Sequence, residues 1–298
     1  MLVLFILRGG DEHVADAERL FPSLKFMSFN VIWFVNDEDL YSFLSECPSI
    51  EHLLLTRCWI ENNKCYVCCS ILKYLEVKNC LLDGIQVDEA FNLESFSFVS
   101  LSDSTCENMF LNSTLNLKYI NISVDKHIGH FSLQGCHSAL EASIESPGIR
   151  KFEFFDGYLS AKVLLKAKEG TVGEAIIDDA TMYVGELSDK KWFEFSSDLT
   201  YIPRLVTFLR RFSCCKKINL WTQDYQALTI PRNYRKMTSL PPLPETHKLT
   251  VTLPDIDIES IGGDVYDFKE TLDWIAPSAS MFIARGSRER QEEKSPTS

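Results

Sequence analysis

Residues 50–58 read IEHLLLTRC, 72–80 read LKYLEVKNC and 128–136 read IGHFSLQGC. Each has an aliphatic first residue, large apolar fourth and sixth residues, and a cysteine ninth. The apolar frame recurs at Leu24 (with Met27 and Phe29), Leu93 (Phe96, Phe98), Leu117 (Ile120, Ile122) and Ile149 (Phe152, Phe154). The starts 24, 50, 72 and 93 are 26, 22 and 21 residues apart. In a strand, the fourth and sixth positions share one face and the third, fifth and seventh the other. One strand cannot bury such a face alone, so neighbours must stack. The pattern predicts an α/β solenoid with a curved parallel sheet and an irregular helical or loop convex side. Strands near Leu24, Ile50, Leu72, Leu93 and Ile149 are expected side by side in one sheet.

Two details extend the frame. A shift of 56 residues maps Leu72, Leu75, Val77 and Cys80 onto Ile128, Phe131, Leu133 and Cys136, and Leu93, Phe96 and Phe98 onto Ile149, Phe152 and Phe154. This predicts a pair of repeats that recurs as a unit. Leu117 and Ile128, however, are only 11 apart. A parallel crossover within one sheet takes about a dozen residues or more, so one match is expected to be false or the array irregular there. The ninth position lies where the chain leaves the strand and turns inward, which makes Cys58, Cys80 and Cys136 buried structural thiols.

A second kind of element follows. LYSFLSECPSIEHLLL at 40–55 and LVTFLRRFSCCKKINL at 205–220 align at a shift of 165. Apolar spacing of i, i+3, i+4 followed by alternation reads as helix, turn, strand. YDFKETLDWIAPSASMFI at 266–283 is a third such unit, ending in a strand near Met281–Ile283. PPLPETHKLTVTLP before Pro254 reads as a loop and a strand, MLVLFILRGG at the N-terminus as a strand, and Gly262-Gly263 as a turn. Residues 1–284 form the solenoid, and the charged tail 285–298 is expected to be disordered.

Composition narrows the function classes. The chain has 298 residues, 45% of them hydrophobic, a net charge of −12 and a pI near 5.0. It can bury a core and lacks the basic footprint of a nucleic-acid binder. No stretch is apolar over membrane-spanning length, so cytoplasm or nucleus is expected. The ten cysteines are then thiols, and the sequons at Asn112 and Asn121 would matter only in a secreted chain.

No chemistry stands out. CYVCC at 65–69 holds a C-x-x-C, but the other cysteines nearby, Cys58 and Cys80, belong to the frame, so plain thiols in a loop or helix are expected. His127, His130, Cys136 and His137 cluster in sequence, yet alternation turns His130 outward and Cys136 inward. Asp255, Asp257 and Glu259 read as a solvated edge. Phosphate-loop, dinucleotide, zinc-protease and nucleophile-elbow motifs are absent. No catalytic residue, metal or cofactor is expected.

CSILKYLEVKNCLLDGIQVDEAFNLESFSF at 69–98 resembles the plant F-box/LRR-repeat proteins, including those with an FBD-type C-terminal region. VDEAFNL (87–93), IESPGI (144–149), CPSIEHLLLTRCWI (47–60), LPPLPETHKLTVTL (240–253) and LDWIAP (272–277) carry the likeness, with the FBD-like part from about residue 214. The resemblance implies a leucine-rich-repeat substrate receptor of the ubiquitin-ligase pathway, with an unknown protein substrate. Nothing between Met1 and Leu24 matches an F-box module, so docking on a Skp1-type adaptor is expected only if an F-box lies outside this chain. Solenoids bind through the concave sheet, which points to His52, Leu54, Thr56, Tyr74, Glu76, Lys78, Ser97, Tyr119, Asn121, Lys151, Glu153 and Phe155. The other readings are a small-ligand or hormone receptor using that face, with a pocket near Tyr74–Phe155, and a truncated relative with no selected function.

Overall fold

The computed structural model describes residues 23–35, 37–100, 106–135, 140–155, 162–167, 177–183, 201–222, 225–238, 240–253 and 264–285. The chain is an α/β solenoid of parallel sheets. A seven-stranded sheet holds β1 (Phe26–Asn30), β3 (His52–Thr56), β6 (Tyr74–Lys78), β8 (Ser95–Ser100), β10 (Tyr119–Val124), β12 (Glu141–Ser146) and β14 (Lys162–Ala167). A nine-stranded second sheet holds β5 (Lys64–Cys68), β7 (Gly84–Asp88), β9 (Asn108–Leu111), β11 (Ile128–Gln134), β13 (Ile149–Phe155), β15 (Ile177–Tyr183), β16 (Lys217–Trp221), β17 (Lys248–Leu253) and β18 (Ser280–Arg285). From β5 to β15 the chain alternates between the sheets. A short pair, β2 (Trp33–Phe34) and β4 (Trp59–Ile60), lines one corner.

The expected fold class is therefore what the chain adopts, with a more regular second wall than the repeat frame implied. Two frames interleave. One gives the first sheet from Leu24, Ile50, Leu72, Leu93 and Leu117. The other starts at Leu82 (Ile85, Val87), Cys106 (Met109, Leu111), Ile128 and Ile149 and gives the second sheet. Leu117 and Ile128 both head genuine strands, β10 and β11. Their 11-residue separation is too short for neighbours in one sheet, and they lie in different ones. The strand at Ile149 is β13, so it does not lie beside β8 as expected. The 56-residue shift mapped β6 and β8 onto β11 and β13, that is, one sheet onto the other.

The inward residues of both walls meet in one core. Phe29, Phe96 and Phe98 from the first sheet and Phe131, Phe152 and Phe154 from the second are among its largest fully buried side chains. Corners close each coil. Val31, Arg57 and Asn79 leave β1, β3 and β6 with φ of 59°, 51° and 51°. Their N–H groups donate to the carbonyls of Thr56 (3.0 Å), Lys78 (2.9 Å) and Val99 (2.7 Å), so the turns stack as the strands do. At another corner the side-chain amide of Asn92 donates to the Ser70 carbonyl at 2.8 Å, and that of Asn116 to the Phe91 carbonyl at 2.8 Å. Gly129 is required where coils approach, because a Cβ there would lie 2.4 Å from the Glu107 carbonyl oxygen.

Three helices fall where the pattern placed them: α1 (Asp37–Ser45) precedes β3, α2 (Tyr201–Arg210) precedes β16 and α4 (Asp264–Ile275) precedes β18. α3 (Arg232–Met237), before β17, is one that the pattern did not foresee. In α2, Leu205, Val206, Phe208 and Leu209 form the buried stripe. Phe208 and Phe212 then pack on Phe154 and Phe152, at ring centroid distances of 5.7 and 5.4 Å. The buried Arg235 of α3 pairs with Asp267 and Glu270 of α4. The N-terminal strand, the acidic 255–259 stretch, Gly262-Gly263 and the tail from 286 lie outside the described residues.

Candidate functional site

The twelve predicted surface residues do not share one face. His52, Leu54 and Thr56 (β3), Tyr74, Glu76 and Lys78 (β6), Ser97 (β8), and Tyr119 and Asn121 (β10) stand on the outer face of the first sheet. Lys151, Glu153 and Phe155 belong to β13 in the second sheet. Tyr74 and Phe155 therefore belong to strands of different sheets. The physical reason is the interleaved frame: β13 obeys the same 1-4-6 rule as β6 but faces the other way across the core.

On the first sheet's outer face the rows run across the strands. The third-position row holds Phe26, His52, Tyr74, Ser95 and Tyr119. His52 stacks on Tyr74 with ring centroids 4.4 Å apart and planes 12° apart, and Phe26 tilts onto His52 at 5.9 Å. Tyr74 is 40% and Tyr119 56% exposed. Glu76 and Lys78 pair along β6 at 2.6 Å. One position earlier, Lys25, Glu51 and Lys73 form a chain of ion pairs, 2.8 Å from Lys25 to Glu51 and 2.9 Å from Lys73 to Glu51, and Lys118 reaches Glu94 at 2.9 Å. Hydrogen bonds from Lys25 and Lys73 lower the Glu51 carboxyl to about 2.

The corner beyond these strands was missed by the sequence reading. Trp33, Trp59 and Leu81 align through the β2–β4 pair and a bridge from Trp59 to Leu81. Trp33 is 57% and Trp59 37% exposed, and Val31 and Val35 beside Trp33 are exposed as well. The available signal was spacing: Trp33, Trp59 and Leu81 each follow a strand of the first frame by the same few residues. An exposed apolar run of this kind marks an interaction site more often than scattered single residues do.

The second sheet's outer face carries a charged group around Glu153. Glu153 is shared by Lys151 at 2.6 Å and His130 at 2.9 Å, the latter contact lying off the line of a good hydrogen bond. Burial pushes the Glu153 carboxyl up, but His130 and Lys151 outweigh it and hold it below the usual range. Phe110 meets His130 edge-on at 4.9 Å, and the Asn219 amide donates to Thr181 Oγ1 at 3.2 Å.

The cysteines divide by position. Cys58 and Cys80 are buried, as their frame position predicted, and the Cys58 N–H donates to Cys80 Sγ at 3.3 Å. The contact with Cys58, together with burial, pushes the Cys80 thiol up. CYVCC is not a loop or helix: residues 64–68 are strand β5, with Cys65 buried and pushed up to about 12 by desolvation. Cys68 is half-buried on the outer face, and desolvation raises its thiol too. His127 and His130 are placed, whereas Cys136 and His137 lie outside the described residues. Among the described residues no group of three or more His, Cys, Asp or Glu is arranged to hold a metal. No helix among them is long and apolar enough to cross a membrane. The chain matches no protein-family model, no curated protein and no solved structure.

Proposed function

We propose that the chain is a non-enzymatic protein-recognition module, the leucine-rich-repeat substrate-receptor part of an F-box/LRR-type protein of the ubiquitin-ligase pathway. The observation that carries the recognition reading is the exposed Trp33–Trp59–Leu81 corner beside the aromatic row of Tyr74 and Tyr119. Tryptophan and tyrosine dominate binding hot spots because they offer large contact area at low entropy cost. A rigid parallel scaffold holds them in fixed rows, so ordering them costs little on binding. The pathway assignment rests on the sequence resemblance. In α1, Leu40 and Leu44 are buried in the solenoid core and so are not open to an adaptor.

Photo-crosslinking residues placed at Trp33 or Tyr74 should capture the same protein, and one at Thr250 on the second sheet should not. Fused behind an F-box module, the wild-type solenoid should direct ubiquitylation of that protein. The double variant Trp59→Ser, Tyr74→Ser should fold normally and fail. Equal capture from Thr250 would reject the surface. Capture without ubiquitylation in the fusion would keep the surface and reject the pathway.

A further inference from the structure

The two ends of the second sheet are finished differently. At one end α1 packs over β5 and buries Leu40 and Leu44. At the other, β18 pairs with β17 on one side and with no strand among the described residues on the other. Its Met281 and Ile283 continue the inward rows that Leu249 and Val251 fill with buried side chains, yet Ile283 is 41% exposed. On the opposite face Phe282 is 54% exposed, with Lys248 Nζ 5.1 Å from its ring centre. Native edge strands are usually blunted by proline, an inward charge or a bulge. SMFIAR has none of these, and its only charge is the terminal Arg285.

The hydrogen bonding of this edge defines what fits it. The Ser280 N–H donates to the His247 carbonyl of the β17 side at 2.9 Å. Groups alternate along a strand, so Phe282 also faces β17, while Met281 and Ile283 turn their N–H and C=O to the edge away from β17. We infer that the occupant is a second copy of this chain, its β18 pairing antiparallel with the first about a two-fold axis at Phe282. This register sets Met281 of one copy opposite Ile283 of the other as a hydrogen-bonded pair, and Phe282 opposite Phe282 as the closer, non-hydrogen-bonded pair. Side chains opposite one another share a face, so each open core end covers the other and the two phenylalanines meet outside. Arg285 falls opposite Ala279, and no like charges oppose each other within the strand. A surface complementary to itself in this way is what a two-fold interface requires.

Sedimentation velocity from about 1 to 100 µM tests the association by mass action. The wild type should approach twice the 34.1 kDa chain mass. Phe282→Lys, on an exposed side chain, should remain monomeric with an unchanged circular dichroism spectrum. Ile283→Pro removes a donor that β17 does not use and should also be monomeric. Phe282→Cys should form a disulfide-linked dimer with oxidised glutathione, and the wild type should not. A wild type that stays monomeric throughout overturns the inference. So does a dimer that both substitutions leave intact and that Phe282→Cys does not cross-link.

Discussion

From β5 to β15 each coil is backed by a strand; from β16 onward each is backed by helix. Repeat length accounts for the difference. Register partners along the second sheet, from Gly84 to Asn108, His130 and Lys151, are 24, 22 and 21 residues apart. From Asp179 to Lys217, Lys248 and Ser280 the steps are 38, 31 and 32. A strand rises about 3.3 Å per residue and a helix about 1.5 Å. Covering the same height with helix takes about twice the residues, and only the longer repeats have them. The width differs too, since a packed helix needs about 8–10 Å against about 4.8 Å for a strand. One nine-stranded sheet thus runs unbroken over two kinds of backing.

The joint between them is aromatic, and it is where the comparison can be broken most severely. Phe208 is fully buried and contacts both Phe154 and Phe212, at 5.7 and 5.2 Å between ring centroids. Phe208→Ala should cost about 3–5 kcal/mol, the range for truncating a buried phenylalanine. Denaturant unfolding measures the loss. Hydrogen exchange should show β16–β18 losing protection while β6 and β8 keep theirs; uniform loss would mean the two regions do not differ in coupling.

A smaller effect belongs to the strand-backed region alone. Asn92 and Asn116 tie each corner to the preceding coil through one side-chain bond apiece. Asn116→Ala should cost about 0.5–1.5 kcal/mol, the net worth of such a bond, read from the urea midpoint at constant slope. A loss well outside that range would show that the corner is held by something else.

The smallest expected effect is electrostatic. The Glu51 carboxyl sits at about 2 in the folded chain against an ordinary 4.5. A depressed carboxyl stabilises above its unfolded value and loses that contribution as pH falls from 4.5 toward 2. The stability difference between wild type and Glu51→Gln should therefore shrink between about pH 6 and about pH 3. It should also shrink in about 1 M salt, because the pair is solvent-exposed. A difference that grows on acidification would contradict the pairing.

These regions were unequally legible in sequence. The helix-strand units were visible because Leu205, Phe208 and Leu209 repeat the spacing of Leu40, Phe43 and Leu44 before an alternating strand. The two walls of the strand-backed region were not separable, because parallel strands buried against a common core obey one pattern whichever wall they occupy. Ile149-Phe152-Phe154 and Leu72-Leu75-Val77 look alike, and only the short spacings between successive matches distinguish the sheets. That ambiguity assigned Lys151, Glu153 and Phe155, all of β13, to the first sheet instead of the second. The Trp33–Trp59 corner was missed for another reason: its residues lie one position past the nine-residue frame, so their common spacing carried no meaning until the left-handed turns at Val31, Arg57 and Asn79 were seen to stack.

The charged row at the entry to the first sheet has a consequence for assembly. Read across the strands it runs Lys25, Glu51, Lys73, Glu94, Lys118, alternating in sign from coil to coil. The apolar frame is nearly the same in every coil, so burial alone scarcely distinguishes a correct stack from one that skips a coil. The charges do distinguish them. Skipping one coil brings lysine against lysine or glutamate against glutamate, and only an even-numbered error escapes. The row works as a parity bit, an error check written in charge along a scaffold whose hydrophobic pattern cannot count.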